Sequence, residues 1–243
     1  MEFTSAMFTG ANPPNKLRQI LLCLSLFLIC SSSQALEVNN DRTEYNLSPE
    51  IQYLITSDAE FKPNFTDPKS QNQLFKPNAT DNQELNLGFV NGSSVWVRII
   101  LSRAPGTEAN WILEIPYLGL DKVDLLLADG SILKNGSDFA VNKRPYFSRF
   151  YAFPIELSET PKAYYLHITS SYPVTIPLRL IERNSFNQYQ FTENFLQSMY
   201  YGGLLSLLFY NFVLFLVIKD KKFLIYTLFA ASTGLGIFAG NGY

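Results

Sequence analysis

A long uncharged and mostly apolar stretch of the chain runs from Phe195 to Ile218. Its 24 residues form a helix longer than the ~30 Å hydrocarbon core of a bilayer, at about 1.5 Å per residue. Residues 219–222 are Lys-Asp-Lys-Lys, and a second uncharged stretch then covers residues 223–243. A loop of only four residues places the two helices side by side in an antiparallel hairpin. The sequence therefore predicts a transmembrane helix at 195–218, a loop at 219–222 and a second transmembrane helix at 223–243.

The N-terminal 35 residues have the layout of an export signal. Lys16 and Arg18 precede an apolar run of eleven residues, 20–30, and a Ser-Gln-Ala sequence ends at Ala35. A positive segment, a short apolar segment and small residues in that order are typical of a secretory signal peptide. We expect residues 1–35 to be removed. An uncleaved anchor and lipidation at Cys30 are the alternatives.

The charge pattern indicates the direction of the hairpin. Export places the middle of the chain outside the cell membrane, and the loop at 219–222 carries three lysines. Positively charged loops stay in the cytoplasm. We therefore expect residues 36–194 outside the cell membrane and the hairpin within it.

Composition excludes several classes of protein. Charged residues make up 16% of the chain, well below the ~25% of soluble domains. This low share excludes an ordinary cytosolic protein and an intrinsically disordered chain. The net charge of −2 gives no footprint for nucleic acid. Both cysteines, Cys23 and Cys30, lie in the leader, so the mature chain has no disulfide. The single histidine, His167, excludes multi-histidine metal sites, and we expect neither a metal nor a cofactor.

The middle of the chain alternates apolar and polar residues, the pattern of half-buried strands. Val95, Val97, Ile99 and Leu101 share one face of one such strand. Turn dipeptides separate the strands: Asn91-Gly92, Pro105-Gly106, Asp129-Gly130 and Asn135-Gly136. Short strands at this spacing with no helix between them predict an all-β jelly roll or β-sandwich. We expect residues 36–190 to form this extracytoplasmic β-sandwich domain, followed by the helical hairpin.

Five residues are candidates for a ligand site. Trp96, Arg98 and Glu114 lie opposite the apolar faces of their strands, and Arg144 and Arg149 flank an aromatic segment. An exposed aromatic ring beside an arginine and a carboxylate suits a sugar or a small anionic ligand. The alternative is a structural role, with Arg98 and Glu114 as a cross-strand ion pair.

Catalytic motifs are scarce in the sequence. It contains no Gly-x-Ser-x-Gly motif and no glycine-rich phosphate loop. Glu114 and Asp124 are the one carboxylate pair that suggests a glycosidase. Chance proximity among many carboxylates is common, so we expect no enzymatic activity in this chain.

Several short motifs follow one another in a characteristic order. They are Leu85–Phe89, Ser94–Arg98, Trp111–Tyr117, Leu120–Leu125, Arg144-Pro145, Arg149–Pro154, Tyr200–Leu205 and Tyr210-Asn211. This order resembles the extracellular module and first membrane hairpin of bacterial seven-transmembrane receptors with diverse intracellular signalling modules. The resemblance covers residues 85–243.

The resemblance implies a signal-transduction receptor of the bacterial inner membrane, with residues 36–194 in the periplasm. Its periplasmic jelly roll would sense a small, carbohydrate-like ligand, and seven membrane spans would pass the signal to a cytoplasmic output beyond residue 243, such as a diguanylate cyclase or a histidine kinase. The partners expected are that ligand and the lipid bilayer, with a homodimer left open and no nucleic acid. The alternative is a membrane-anchored carbohydrate-binding or adhesion module without signalling.

Overall fold

The computed structural model describes residues 35–58, 60–65, 68–78 and 84–240. Apart from Ala35, the predicted signal peptide lies outside the described residues. The described chain forms thirteen β-strands and two α-helices. The strands are β1 Leu36–Val38, β2 Glu44–Asn46, β3 Gln52–Thr56, β4 Lys76–Pro77, β5 Leu85–Gly88, β6 Ser94–Arg103, β7 Asn110–Ile115, β8 Lys122–Leu126, β9 Ile132–Asn135, β10 Tyr151–Glu156, β11 Lys162–Thr169, β12 Val174–Ile176 and β13 Arg179–Glu182. The helices are α1 Arg183–Ile218 and α2 Lys221–Gly240.

Two sheets face each other in the β domain. A seven-stranded sheet has the order β4-β3-β6-β11-β8-β9, and β1 pairs with β6 in parallel. A four-stranded sheet has the order β10-β7-β13-β2, and β12 and β5 form a separate ribbon. Apart from β1 with β6, the pairings in both sheets are antiparallel. The prediction of an all-β sandwich followed by a helical hairpin is confirmed.

The core lies between the two sheets and follows the alternation of the sequence. Val97 and Ile99 of β6 and Leu113 of β7 have no exposed surface. Successive side chains of a strand point to opposite faces, so residues at every second position enter one continuous apolar cluster. The sequence therefore identifies the inward face of these strands correctly.

A proline divides the last predicted strand. The apolar alternation from Val174 to Leu180 predicts one strand that has Pro177 at an edge or a bulge. The structure instead ends β12 at Ile176 and begins β13 at Arg179. β12 pairs with β5, whereas β13 enters the four-stranded sheet. Pro177 lacks the N–H that a continuous ladder needs, and the chain changes sheets there.

The sandwich has two ends, which we name by the course of α1. The exit end consists of the loops at 89–93, 116–121, 136–150 and 170–173. The far end consists of the loops at 39–43, 104–109, 127–131 and 157–161. Hydrogen bonds tie the two sheets together at the exit end: the Tyr151 hydroxyl donates to the carbonyls of Leu118 and Leu120, and Ser170 donates to that of Gly119.

Helix α1 begins directly after β13, twelve residues before the predicted span. Phe186 packs on the outer face of the four-stranded sheet near Ile112 and Ile181. The ring of Tyr189 then lies under Arg179, and Gln190 donates a hydrogen bond to Ser148. Because Ser148 belongs to the exit end, α1 crosses the sheet from the far end and leaves the sandwich at the exit end.

The two helices form an antiparallel pair. Lys219 adopts a left-handed conformation, with φ 59°, and its N–H donates to the Phe215 carbonyl, which ends α1. Asp220 accepts a hydrogen bond from the backbone N–H of Lys222 and so caps α2. Tyr201 and Phe238 meet edge to face, with ring centroids 5.8 Å apart. Both helices are long and apolar enough to cross a membrane.

Candidate functional site

The five candidate residues lie in three separate places rather than in one site. Trp96 and Arg98 belong to β6 of the seven-stranded sheet. They alternate with Val97, which points into the core, and therefore lie on the outer face of that sheet. Glu114 is on the outer face of the four-stranded sheet, on the opposite side of the core. Arg144 and Arg149 belong to a loop at the exit end. The alternative of an Arg98–Glu114 ion pair is therefore wrong, since β6 and β7 belong to different sheets.

A peptide segment covers Trp96 and Arg98. Residues from the stretch between β3 and β4 lie over the outer face of the sheet and contribute Phe61, Phe65 and Phe75 to an aromatic cluster. The edge of Phe61 meets Trp96, with centroids 5.5 Å apart. Trp96 consequently exposes only 5% of its surface. No sugar ring can stack on it while this segment stays in place.

Arg98 is a buried cation held by side-chain amides. Its Nε donates to Gln52 at 2.8 Å, its Nη2 donates to Asn72 at 2.7 Å, and its guanidinium lies 4.7 Å above the ring of Phe75. Burial lowers its pKa, and the neighbouring Tyr165 opposes that change. These contacts fasten the covering segment to the sheet, so in this structure Arg98 has a structural role.

Beside Trp96 the same face carries two titratable groups. His167 stacks on Trp96, with centroids 4.5 Å apart, and Asp124 is its cross-strand partner on β8. Burial lowers the pKa of His167 and raises that of Asp124. Asp124 and Glu114, the two carboxylates considered for a glycosidase, lie in different sheets, Asp124 in the seven-stranded and Glu114 in the four-stranded one.

Glu114 is the most deeply buried carboxylate of the β domain. It has no exposed surface, and its Oε2 accepts a hydrogen bond from Arg179 Nε at 2.6 Å. Its Oε1 has no hydrogen-bond partner. Burial raises the pKa of Glu114, and the charge and hydrogen bond of Arg179 oppose that rise.

Arg179 connects this carboxylate to α1. Its Nη1 lies 3.2 Å from Glu44 Oε1, and its guanidinium lies 5.3 Å from the ring centroid of Tyr189. Burial alone would lower the pKa of Arg179, but the charge of Glu114 and hydrogen bonds to Tyr189 and Glu114 raise it. One side chain thus joins two strands of the sheet to the first turns of the helix.

Arg144 and Arg149 organise the loop beside that helix. Arg144 Nη1 donates to the carbonyls of Ser148 and Arg149 and closes the loop on itself. Burial lowers the pKa of Arg144. Arg149 lies in a small hollow between the loop and α1, together with Glu193 and Gln197. Both residues therefore sit where the chain leaves the sandwich.

A cleft that the sequence did not reveal opens at the far end. Its volume is about 800 Å³, within the ~300–1,000 Å³ of small-molecule sites. Charged and polar side chains line it: Arg103, Asp129, Glu156, Glu159 and Lys162. In the sequence none of these residues belongs to a recognisable motif, and the fold brings them together from β6, β10, β11 and two far-end loops.

The comparison with protein families covers almost the whole β domain and the hairpin. The profile of the family described as 7TMR-DISM extracellular 2 matches residues 48–182, more than half of the chain. The chain belongs to the 7TMR-DISM family. A second profile, described as 7TM diverse intracellular signalling, matches residues 193–243. These 7TMR-DISM domains identify a receptor-like membrane signalling protein, and neither domain is a catalytic one.

A solved structure with a detectable similarity is a weak match. The tandem CBM51 modules of Sp3GH98, the family 98 glycoside hydrolase from Streptococcus pneumoniae SP3-BS71, match at 15% identity with a TM-score of 0.23. The match covers 61% of this chain and 42% of that chain. A similarity of this size carries no information about a ligand. No curated protein sequence matches the chain.

The family boundaries agree with the course of α1. The first profile ends at Glu182, the last residue of β13, and the second begins at residue 193. The residues between them are the turns of α1 that pack on the sheet, including Phe186 and Tyr189. In this 7TMR-DISM chain the junction between the two domains is thus a docked helix.

Proposed function

We propose that the chain is the sensing part of a bacterial inner-membrane receptor, with its β domain in the periplasm. The observation that supports this most directly is the junction between the β domain and α1. Arg179 and Phe186 hold the first turns of α1 against the four-stranded sheet, with no linker between strand and helix. A change in the sheet would therefore move the helix that enters the membrane.

The far-end cleft is the proposed ligand site. Carboxylates and a lysine around one cavity can accept and donate hydrogen bonds, as the hydroxyl groups of a sugar require. The cleft also lies opposite the exit end, so it opens away from the membrane. We propose a small, polar, carbohydrate-like ligand, and a cytoplasmic output beyond residue 243 that reads the helix movement.

A thermal-shift titration tests the ligand class. The purified chain in detergent would be heated with a panel of neutral, acidic and amino monosaccharides and disaccharides. A ligand at about 100 times its Kd stabilises the folded state by about 2.7 kcal/mol. For a domain of this size we expect Tm to rise by about 5–10 °C.

A variant pair locates the site. Lys162 lines the cleft, whereas Lys134, also an exposed lysine, lies on β9 outside it. Losing one charged hydrogen bond costs about 1.5–3 kcal/mol, so Lys162→Ala should raise Kd about tenfold or more. Lys134→Ala should leave Kd unchanged. Equal Kd values for the two variants would place the ligand elsewhere.

A further inference from the structure

The two ends of the sandwich differ sharply in aromatic content. The exit-end loops contain seven aromatic residues: Phe89, Tyr117, Phe139, Tyr146, Phe147, Phe150 and Tyr172. The far-end loops contain none. Three of the seven are strongly exposed, Phe147 by 74%, Phe89 by 65% and Tyr172 by 60%. Soluble domains normally bury such rings, so their concentration at one end indicates a surface that contacts something apolar.

The two ends of the sandwich also differ in their charged residues. The exit end carries three basic side chains, Lys143, Arg144 and Arg149, and four acidic ones, Asp121 and Asp138 in its loops and Asp58 and Glu60 directly after β3. The far-end loops carry one basic and four acidic side chains: Arg42, Asp41, Glu108, Asp129 and Glu159. The far end is therefore the more acidic of the two, and an anionic surface repels it more strongly than it repels the exit end.

The exit end also reaches the level of the membrane. Ser148 accepts a hydrogen bond from Gln190, which precedes Phe195, the start of the uncharged stretch, by only about 7.5 Å of helix. Each headgroup layer of a bilayer is roughly 5–7 Å thick. Arg149 lies beside Gln197, inside the uncharged stretch. The loop that bears Phe147 is therefore at headgroup depth wherever α1 enters the bilayer.

We propose that the exit end of the sandwich rests on the outer leaflet, with the rings of Phe89, Phe147 and Tyr172 inserted among the lipid headgroups. Aromatic rings favour this interfacial region, and basic side chains favour anionic lipids. The contact continues the one that α1 makes with the bilayer, and the inference rests on the proposed position of α1 as a membrane span. It gives the sensor domain a fixed orientation, with the far-end cleft facing away from the lipid.

Tryptophan fluorescence in vesicles with brominated acyl chains tests this contact. The native Trp96 and Trp111 are 5% and 2% exposed and give the background of the unmodified chain. Phe147→Trp and Tyr172→Trp place a reporter at the exit end, and Ile132→Trp, 49% exposed in the wild type, places a matched reporter at the far end. Because rings at headgroup level lie close to the upper acyl chain, we expect the emission of both exit-end reporters to fall about twofold. The far-end reporter should not be quenched.

A third reporter separates this contact from the membrane span itself. Phe209 is 69% exposed and lies near the middle of the uncharged stretch at 195–218, so Phe209→Trp must be quenched if α1 crosses the bilayer. Quenching of Phe209→Trp together with unquenched exit-end reporters would overturn the lipid contact alone. An unquenched Phe209→Trp would overturn both the span and the contact. Quenching of the exit-end reporters should be stronger in vesicles that contain phosphatidylglycerol than in pure phosphatidylcholine, and equal quenching in the two would contradict the role of the basic side chains.

Discussion

Replacing Arg179 by alanine is expected to lower the free energy of unfolding by about 3–5 kcal/mol at neutral pH. The reason is Glu114, which has no exposed surface and would remain buried without its cationic partner. Denaturant unfolding of the full chain in detergent measures this loss, with the emission of buried Trp111 as the signal. As a control, Lys122→Ala removes a 4.0 Å ion pair whose two side chains are both more than half exposed. It should change the free energy by less than about 1 kcal/mol.

The pH dependence of the free energy of unfolding shows whether buried Glu114 causes the stability loss in Arg179→Ala. Burial raises the pKa of Glu114 above the ordinary 4.5, and Arg179 opposes that rise, so the pKa of Glu114 should be higher still in the variant. A carboxylate with a raised pKa binds its proton more readily in the folded than in the unfolded state, so the folded state gains stability as pH falls. The loss caused by Arg179→Ala should therefore be largest at neutral pH and should shrink toward pH 4.5. A loss independent of pH would contradict this explanation.

A double variant removes the buried charge itself. Glu114→Gln combined with Arg179→Ala leaves no ionised side chain at the position that Glu114 occupies. We expect it to regain more than half of the stability that Arg179→Ala loses, because an unpaired buried charge costs more than a missing ion pair. No recovery would show that the contacts of Arg179 with Glu44 and Tyr189, rather than Glu114, dominate.

Phe186→Ala should be comparably severe and should act on the helix junction. Phe186 has no exposed surface, packs with Ile112, Ala152 and Ile181, and meets the ring of Tyr146 at 5.6 Å. Truncating a buried phenylalanine costs about 3–5 kcal/mol. The same change should release residues 183–194 from the sheet, which faster amide hydrogen exchange in that stretch would detect.

The same helix provides a matched control for this variant. Phe191 lies five residues further along and is 73% exposed. Phe191→Ala should therefore change the free energy of unfolding by no more than about 0.5 kcal/mol and should leave exchange at 183–194 unchanged. Similar effects of the two substitutions would mean that α1 is not docked through Phe186.

The sequence predicts the inward faces of the strands but not what covers their outward faces. Alternation in β6 separates Val97 and Ile99 from Trp96 and Arg98, because strand side chains alternate with a period of two. It cannot show that a second layer lies outside the sheet. Trp96 is covered by part of residues 36–84, a stretch rich in Asn, Asp and Pro for which the sequence predicts one or two strands and long loops. The expectation of an exposed ligand site there is thus not met in this structure.

The candidate residues are scattered because strand pairing is a property of the whole fold. Glu114 and Arg179 are 65 residues apart and meet only through the register of β7 with β13. The sequence alone cannot show that Glu114 pairs with Arg179 rather than with Arg98. The sequence also does not reveal that α1 begins at Arg183. Hydropathy identifies the uncharged stretch at 195–218, whereas residues 183–194 are mostly polar. Phe186 and Tyr189, three residues apart, were the available signal for a docked face.

The most direct test of the account compares amide hydrogen exchange with and without ligand. The full chain in lipid nanodiscs would be measured alone and saturated with the sugar that gives the largest thermal shift. If the β domain passes ligand binding to the membrane, exchange should change both around the far-end cleft and at residues 183–194 of α1. A change confined to the cleft, with residues 183–194 unaffected at saturation, would contradict signal transmission and would favour a membrane-anchored binding or adhesion module.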